Sequence, residues 1–284
     1  MKALKAIVCA AAAMLSLAAV AQKPLVVAHR GYWKTGKDIK MQTATESAQN
    51  SIRSLCKADS IHCWGSEFDI WLTKDGQVFV NHDATINGVE IQKSLAKDVA
   101  GQKVPNGEYI STLDQYLQEF TKHPNIQVVL EVKPHADLIQ ESMCVMKALA
   151  LVKHYELENR VTYITFSPNA MCELIKYAPK GTEVYYLNGE MPPKKLKEIG
   201  AAGMDYHYKV FKAHPEWIKE CHDLGLKTNA WTVNKKEDLQ WCIDNGIDFI
   251  TTNEPVLLQK ILVCCVNCEI SLFLRIINSR FFDN

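Results

Sequence analysis

Ile126-Gln127-Val128-Val129-Leu130-Glu131-Val132-Lys133 is followed almost at once by an amphipathic stretch of helical length from Ala136 to His154, and this pairing decides how the chain folds. A short apolar run bounded by polar residues reads as a strand, and the longer stretch reads as a helix laid back along it. The same unit recurs in both directions. Expected strands are Leu25 to Ala28, Ser66 to Ile70, Ile126 to Val132, Val161 to Thr165, Glu183 to Leu187, Gly203 to Tyr206, Leu226 to Ala230 and Asp248 to Thr251. Helices are expected near Ala48 to Asp59, Thr112 to Lys122, Ala136 to His154, Pro168 to Tyr177, Pro192 to Ile199, Pro215 to Leu224, Lys236 to Asn245 and Pro255 to Leu262.

Ser111-Thr112 and Ser167-Pro168 supply caps, and Pro168, Pro192, Pro215 and Pro255 suit first helical turns. Strand and helix in strict alternation argue for a parallel sheet, and eight such units in residues 22–260 fit an α/β fold of the (β/α)8 TIM-barrel type. A doubly wound open sheet is the rival arrangement. One stretch breaks the rhythm. Between about residues 73 and 110 an Asp75-Gly76 turn joins short alternating runs, and Asn87-Gly88 follows in polar sequence. This reads as a small inserted hairpin and loop after the second barrel strand. The polar run Lys34 to Thr45 reads as a loop over the barrel mouth.

The ends differ from the middle. Met1-Lys2-Ala3-Leu4-Lys5, the apolar run Ala6 to Val20 and Ala19-Val20-Ala21 form the three parts of a secretory signal, with cleavage expected after Ala21. An exported protein, periplasmic or secreted, follows from that reading. The run is shorter than the ~20 residues a spanning helix needs. Residues 261–284 form an apolar, cysteine-containing tail of unassigned role, for which membrane contact or self-association is an open idea. Lysine plus arginine equals aspartate plus glutamate, 32 against 32. A neutral chain without a basic block offers nucleic acid no footing, so an anionic substrate has to be selected by a local site. Ten cysteines are present. Losing Cys9 with the signal leaves an odd count and at least one unpaired thiol. Cys56, Cys144, Cys172 and Cys242 sit singly in element-like segments and read as small buried hydrophobes. The cluster Cys264, Cys265 and Cys268 lacks a second pair at zinc spacing.

Chemistry gathers at the ends of the early strands. His29-Arg30-Gly31 follows the first apolar run, at the end of a barrel strand where such folds place their sites. There His exchanges protons, Arg grips phosphate and Gly admits close backbone approach. Taken alone, the triplet also fits an incidental surface turn. Glu67 and Asp69, two apart on a strand, direct their carboxylates to one face. Phe68, Ile70 and Trp71 around them imply burial, which two acids tolerate only with a proton or cation between them. A solvated strand edge is the plainer alternative. His82-Asp83 ends the alternation Val78-Phe79-Val80-Asn81. It brings a second imidazole, with Asp83 an orienting partner only if it escapes strand alternation. Glu131 and Lys133 close the third strand as a further ligand and a phosphate partner, or as a local ion pair.

Taken in order, His29-Arg30-Gly31, Glu67-Phe68-Asp69, Leu72-Thr73-Lys74-Asp75-Gly76, His82-Asp83 and Glu131-Val132-Lys133 resemble the glycerophosphodiester phosphodiesterases. Thr165-Phe166-Ser167, Ala230-Trp231-Thr232-Val233-Asn234 and Thr252-Asn253-Glu254-Pro255 agree with the family's late strand ends. The likeness runs from Val26 to Pro255. It implies a TIM barrel with an insertion after the second strand, and hydrolysis of glycerophosphodiesters to sn-glycerol 3-phosphate and an alcohol. By the same resemblance, Glu67, Asp69 and Glu131 hold one divalent cation, Ca²⁺ or Mg²⁺. His29 and His82 are the acid-base pair, and Arg30 and Lys133 hold the phosphate. Phe166 and Trp231 line the glycerol or leaving-group side, unless they only pack the barrel. In one place the chain departs from the pattern. The family's Pro-Glu-Asn-Thr is Ala48-Gln49-Asn50-Ser51 here, so Gln49 removes one negative charge beside Asn50. A phospholipase-like enzyme acting on acylated lipids, and a secreted binding module without activity, are the alternatives.

Overall fold

The computed structural model describes residues 23–34 and 47–264. The expected signal segment (residues 1–21), the loop over the barrel mouth beyond residue 34 and the tail from residue 265 lie outside the described residues. Eight parallel strands close on themselves. They are β1 (Leu25–Ala28), β2 (Gly65–Leu72), then β6 (Gln127–Val132), β7 (Val161–Thr165), β8 (Glu183–Tyr186), β9 (Gly203–His207), β10 (Lys227–Trp231) and β11 (Phe249–Thr252). Ring closure is made by β1, which pairs with β11 on one side and β2 on the other. The open-sheet rival is thereby excluded.

Alternation along each strand divides the apolar residues into two sets. Val26, Ala28, Phe68, Ile70, Val128, Leu130, Val132, Tyr163, Met204, Tyr206, Ala230 and Ile250 face outward into the large core shared with the helices. Val27, Val129, Ile164, Tyr185 and Phe249 face inward and fill the barrel. Space inside is tight. A Cβ on Gly203 would lie 2.0 Å from the Lys227 carbonyl oxygen, so β9 can enter the barrel only with glycine there.

The helices are α1 (Ile52–Ser60), α2 (Ala96–Ala100), α3 (Leu113–Phe120), α4 (Leu138–His154), α5 (Pro168–Tyr177), α6 (Pro193–Ile199), α7 (Tyr208–Ala213), α8 (Glu216–Asp223) and α9 (Lys236–Asp244). Residues 255–264 are also helical. Thr112 and Gln115 form a reciprocal capping box on α3, and Ser167 caps α5 ahead of Pro168, as the sequence suggests. The first helix corrects its expected start at Ala48. Ser51 is the cap, and Asn50 has φ 58°, a left-handed conformation that no helix admits. The chain between β9 and β10 carries α7 besides the expected α8.

The insertion is more ordered than a hairpin with a loop. Strand β3 (Val78–Val80) folds back antiparallel on β2 through the expected turn at Gly76, with φ +87°. Strands β4 (Thr85–Ile86) and β5 (Val89–Glu90) meet at Asn87-Gly88, both with positive φ, the geometry of a tight two-residue turn. A 3-10 turn (Ile91–Lys93) and α2 occupy sequence that reads as loop. Trp71, Phe79, Ile86, Ile91, Val99, Val104 and Ile110 give this region its own small core against the end of β2. Two cysteine readings also need correction: Cys144 and Cys242 are buried, whereas Cys172 is exposed and Cys56 is half-buried against polar groups.

Candidate active site

Strand register assembles the acids. Asp69 of β2 stands directly opposite Glu131 of β6, and Glu67 precedes Asp69 by one inward step. One carboxylate oxygen from each of Glu67, Asp69 and Glu131 lies within 4.8 Å of the others, and all three residues are buried. Lys133, one further inward step along β6, places Nζ 3.2 Å from Asp69 Oδ1 and 2.8 Å from Glu131 Oε1.

Burial and mutual repulsion give these groups unequal acidities. Burial first, then the charges of Asp69 and Glu131, hold the Glu67 carboxyl well above the usual range. Burial and Asp69 push Glu131 up to about 8. Burial acts in the same direction on Asp69. It is outweighed there by Lys133, His82 and Arg30 and by the Asn50 amide, so Asp69 lies below its ordinary value. Glu67 Oε1 is buried without a hydrogen-bond partner. Three converging hard oxygen donors, one of them orphaned, fit a divalent cation of the Mg²⁺ or Ca²⁺ type.

The loop after β1 wraps this cluster. Arg30 donates its backbone N–H to Glu67 Oε2 at 2.7 Å and its Nη1 to Gln49 Oε1 at 2.6 Å, and its Nε lies 3.9 Å from Asp69 Oδ2. Asn50 clamps Asp69 twice: Nδ2 donates to Oδ2 at 2.9 Å, and Oδ1 accepts from the Asp69 backbone N–H at 3.2 Å. Gly31, with φ +75°, lies so close to α1 that a Cβ would meet Ser54 at 2.3 to 2.8 Å. No other residue fits there without moving the helix.

The two imidazoles differ in their partners. His29 Nδ1 is 2.8 Å from Asn253 Oδ1, an acceptor, so a neutral ring carries its hydrogen on Nδ1 and leaves Nε2 bare. Burial, reinforced by the Arg30 charge, lowers His29 to about 4. His82 Nδ1 is 2.7 Å from Asp83 Oδ1, a carboxylate. Residues 82 and 83 lie beyond β3, so strand alternation does not separate them, and Asp83 does reach the ring. Burial also lowers His82, opposed by Asp69 and Asp83. The His82 charge is the last and smallest of the influences that lower His29.

Phe166 and Trp231 meet edge to face with centroids 5.5 Å apart, and Lys133 Nζ lies 5.9 Å from the Phe166 centroid. They therefore border the same end of the barrel. Trp231 Nε1 is anchored on the Asp205 carbonyl at 2.8 Å, so it also packs the wall. Gln49, Asn50 and His82 line a hollow continued by Asn81, Asp83 and Lys103 of the insertion. Asn253 belongs to the late strand end Thr252-Asn253-Glu254-Pro255 noted in the sequence, but nothing there points to its contact with His29. Lys133 was expected on the phosphate and rests instead on two of the acids.

Residues 29–257 match the Glycerophosphoryl diester phosphodiesterase family. Among solved structures, a glycerophosphodiester phosphodiesterase from Parabacteroides distasonis is similar, with 42% identity and a TM-score of 0.81 over 86% of this chain and 99% of that one. A phosphodiesterase from Oleispira antarctica, solved in complex with the product sn-glycerol-3-phosphate, shares the fold at 20% identity and a TM-score of 0.71, covering 84% of this chain and 97% of its own. A curated relative, the glycerophosphodiester phosphodiesterase of Caldanaerobacter subterraneus subsp. tengcongensis, is 28% identical over 82% of this chain and 95% of its own length. With a barrel of this topology and the match spanning every strand end that carries the acids and imidazoles, the chain belongs to the glycerophosphoryl diester phosphodiesterase family.

Proposed function

We propose that the protein hydrolyses glycerophosphodiesters to sn-glycerol 3-phosphate and an alcohol, with His29 and His82 moving the protons and Glu67, Asp69 and Glu131 holding one Mg²⁺ or Ca²⁺. The observation that carries this reading is the convergence of three buried carboxylates from two strands, with an imidazole-bearing segment bonded to either side of them. When bound, the cation offsets charge developing on the phosphoryl oxygens. Arg30, already aimed into the cluster, grips the phosphate, and Lys133, which borders the acids, would lie within reach of it.

The imidazoles divide the proton work by their partners. His29, desolvated and facing a neutral amide, stays uncharged and accepts a proton on Nε2 from the attacking oxygen; where that oxygen is water the product forms directly, and where it is the neighbouring glycerol hydroxyl a cyclic phosphate forms that a water molecule then opens. His82, backed by the Asp83 carboxylate, better tolerates the imidazolium and gives its proton to the leaving alkoxide. Phe166 and Trp231 border the glycerol or the leaving group. We also propose export of the mature chain from Gln22, on the tripartite pattern of residues 1–21.

The test compares His29→Ala and His82→Ala on glycerophosphocholine and on a nitrophenyl diester of glycerol 3-phosphate. Each substitution lowers turnover of the choline diester by about 10²–10⁴-fold. A nitrophenolate leaves without a proton, so it restores much of the rate to His82→Ala and none to His29→Ala. Wild-type turnover by both variants sinks the proposed chemistry, and equal rescue of both sinks the division of labour.

A further inference from the structure

A second convergence lies on the outside of the barrel, in the groove between α1 and α3. Cys56 Sγ is 3.6 Å from His123 Nε2 and 3.7 Å from Glu119 Oε1, and that same Oε1 is 3.4 Å from His123 Nε2. These separations have a physical meaning. A tetrahedral zinc ion with Zn–S near 2.3 Å and Zn–N and Zn–O near 2.0–2.2 Å puts its S···N, S···O and N···O ligand pairs about 3.6, 3.6 and 3.4 Å apart. The three side chains already stand at ligand spacing, pair by pair.

The groups behind them agree. His123 Nδ1 is 2.8 Å from Asp59 Oδ2, so the hydrogen sits on Nδ1 and Nε2 turns its lone pair into the triangle, the carboxylate–histidine arrangement that orients zinc ligands. The other Glu119 oxygen, Oε2, accepts from Lys122 Nζ at 2.6 Å, leaving Oε1 toward the sulfur and the imidazole. The His123 carbonyl accepts from Arg160 Nη2 at 2.6 Å, which pins the backbone that carries the ring. Helices of the barrel run against the strands, so Asp59, near the end of α1, and His123, beyond α3, lie toward the N-terminal strand ends. Asp59 indeed lines a hollow there with Pro24 and Leu25. The cluster is thus at the opposite end from the acids on β2 and β6.

We propose that Cys56, Glu119 and His123 bind a zinc ion, with Asp59 behind the imidazole and a fourth position open to water, as a clamp joining α1 to α3. Sulfur, nitrogen and a single carboxylate favour a borderline-soft cation over Mg²⁺ or Ca²⁺, which the all-oxygen cluster suits. The two sites therefore sort their metals by donor chemistry.

Cobalt replaces zinc as an optical probe of this distinction, because a cobalt–thiolate bond gives a near-ultraviolet charge-transfer band that an all-oxygen site cannot give. The reduced, metal-stripped full chain is titrated with Co²⁺, alongside Cys56→Ser, His123→Gln and Glu67→Gln. One equivalent develops the band in the wild type and in Glu67→Gln; Cys56→Ser loses it, and His123→Gln loses it or needs far more cobalt. Zn²⁺ raises the melting temperature of the wild type and leaves Cys56→Ser and His123→Gln unmoved, and both variants keep wild-type hydrolysis. Should Cys56→Ser not fold, His123→Gln, with its thiol intact, decides by itself. No band in the wild type, or a band undiminished in both variants, overturns the site.

Discussion

The two sides of strand β2 obey different rules although their residues alternate one by one. Outward, Phe68 packs at a tilt against Tyr116 and Phe120 at centroid distances of 4.6 and 5.7 Å and Ile70 is fully buried, so these side chains are held by apolar contact. Inward, Glu67 and Asp69 are just as buried, but they repel each other and Glu131, and one oxygen has no partner. The outer side supplies stability. The inner side stores unfavourable electrostatics that the proposed cation would relieve, and a single strand carries both because its side chains alternate with period two.

The sharpest way to break this comparison is Glu67→Gln. It replaces a carboxyl that its neighbours repel and that the proposed cation needs, so hydrolysis falls by several kcal/mol of transition-state stabilisation, about 10³-fold or more. The melting temperature of the chelated protein holds or rises. A large fall in melting temperature would show that the inner acids are structural. Phe68→Ala is the mirror experiment. Emptying that ring site costs about 3–5 kcal/mol of stability, read by urea unfolding, while kcat of the folded protein stays near wild type.

A pH series sharpens the same contrast. Glu131 is held near 8 in the cation-free fold, so the folded chain binds more protons than the unfolded chain from the ordinary glutamate range up to about 8, and stability falls as pH rises through that window. His29, lowered to about 4, acts in the opposite sense but only below the ordinary histidine value. Between pH 6.5 and 8 the chelated protein therefore loses stability as pH rises, while the cation-loaded protein does not; identical curves would contradict the cation site. The smallest effect is expected from Gln49→Glu. Arg30 keeps its partner while the site gains one negative charge, so cation affinity measured by calorimetry rises by no more than about fivefold.

Most strands and their order were legible because their apolar runs are short and bounded, and Asp75-Gly76 and Asn87-Gly88 marked both turns of the insertion. Glu131 and the imidazoles could be read because each sits at or just beyond a strand end, and Glu67 and Asp69 because their spacing of two inside β2 puts both on one face. What stayed hidden depends on conformation rather than residue type. Asn50 looked helical by position, and only its left-handed backbone frees its amide to hold Asp69 at both ends. The pairing of His29 with Asn253 joins residues 224 apart, and the triangle of Cys56, Glu119 and His123 brings together two helical segments that no local pattern connects.

Main-chain atoms set the spacing of the site. His29 N bonds the Thr252 carbonyl at 3.0 Å, Gly31 N the Glu67 carbonyl at 3.1 Å, and Asn81 N, next to His82, the Asp69 carbonyl at 3.0 Å. Peptide groups are the same whatever side chains they bear. The insertion can thus exchange its lining for new head groups without moving the imidazole it delivers, which makes it the natural segment to graft or randomise when a different alcohol is to be released.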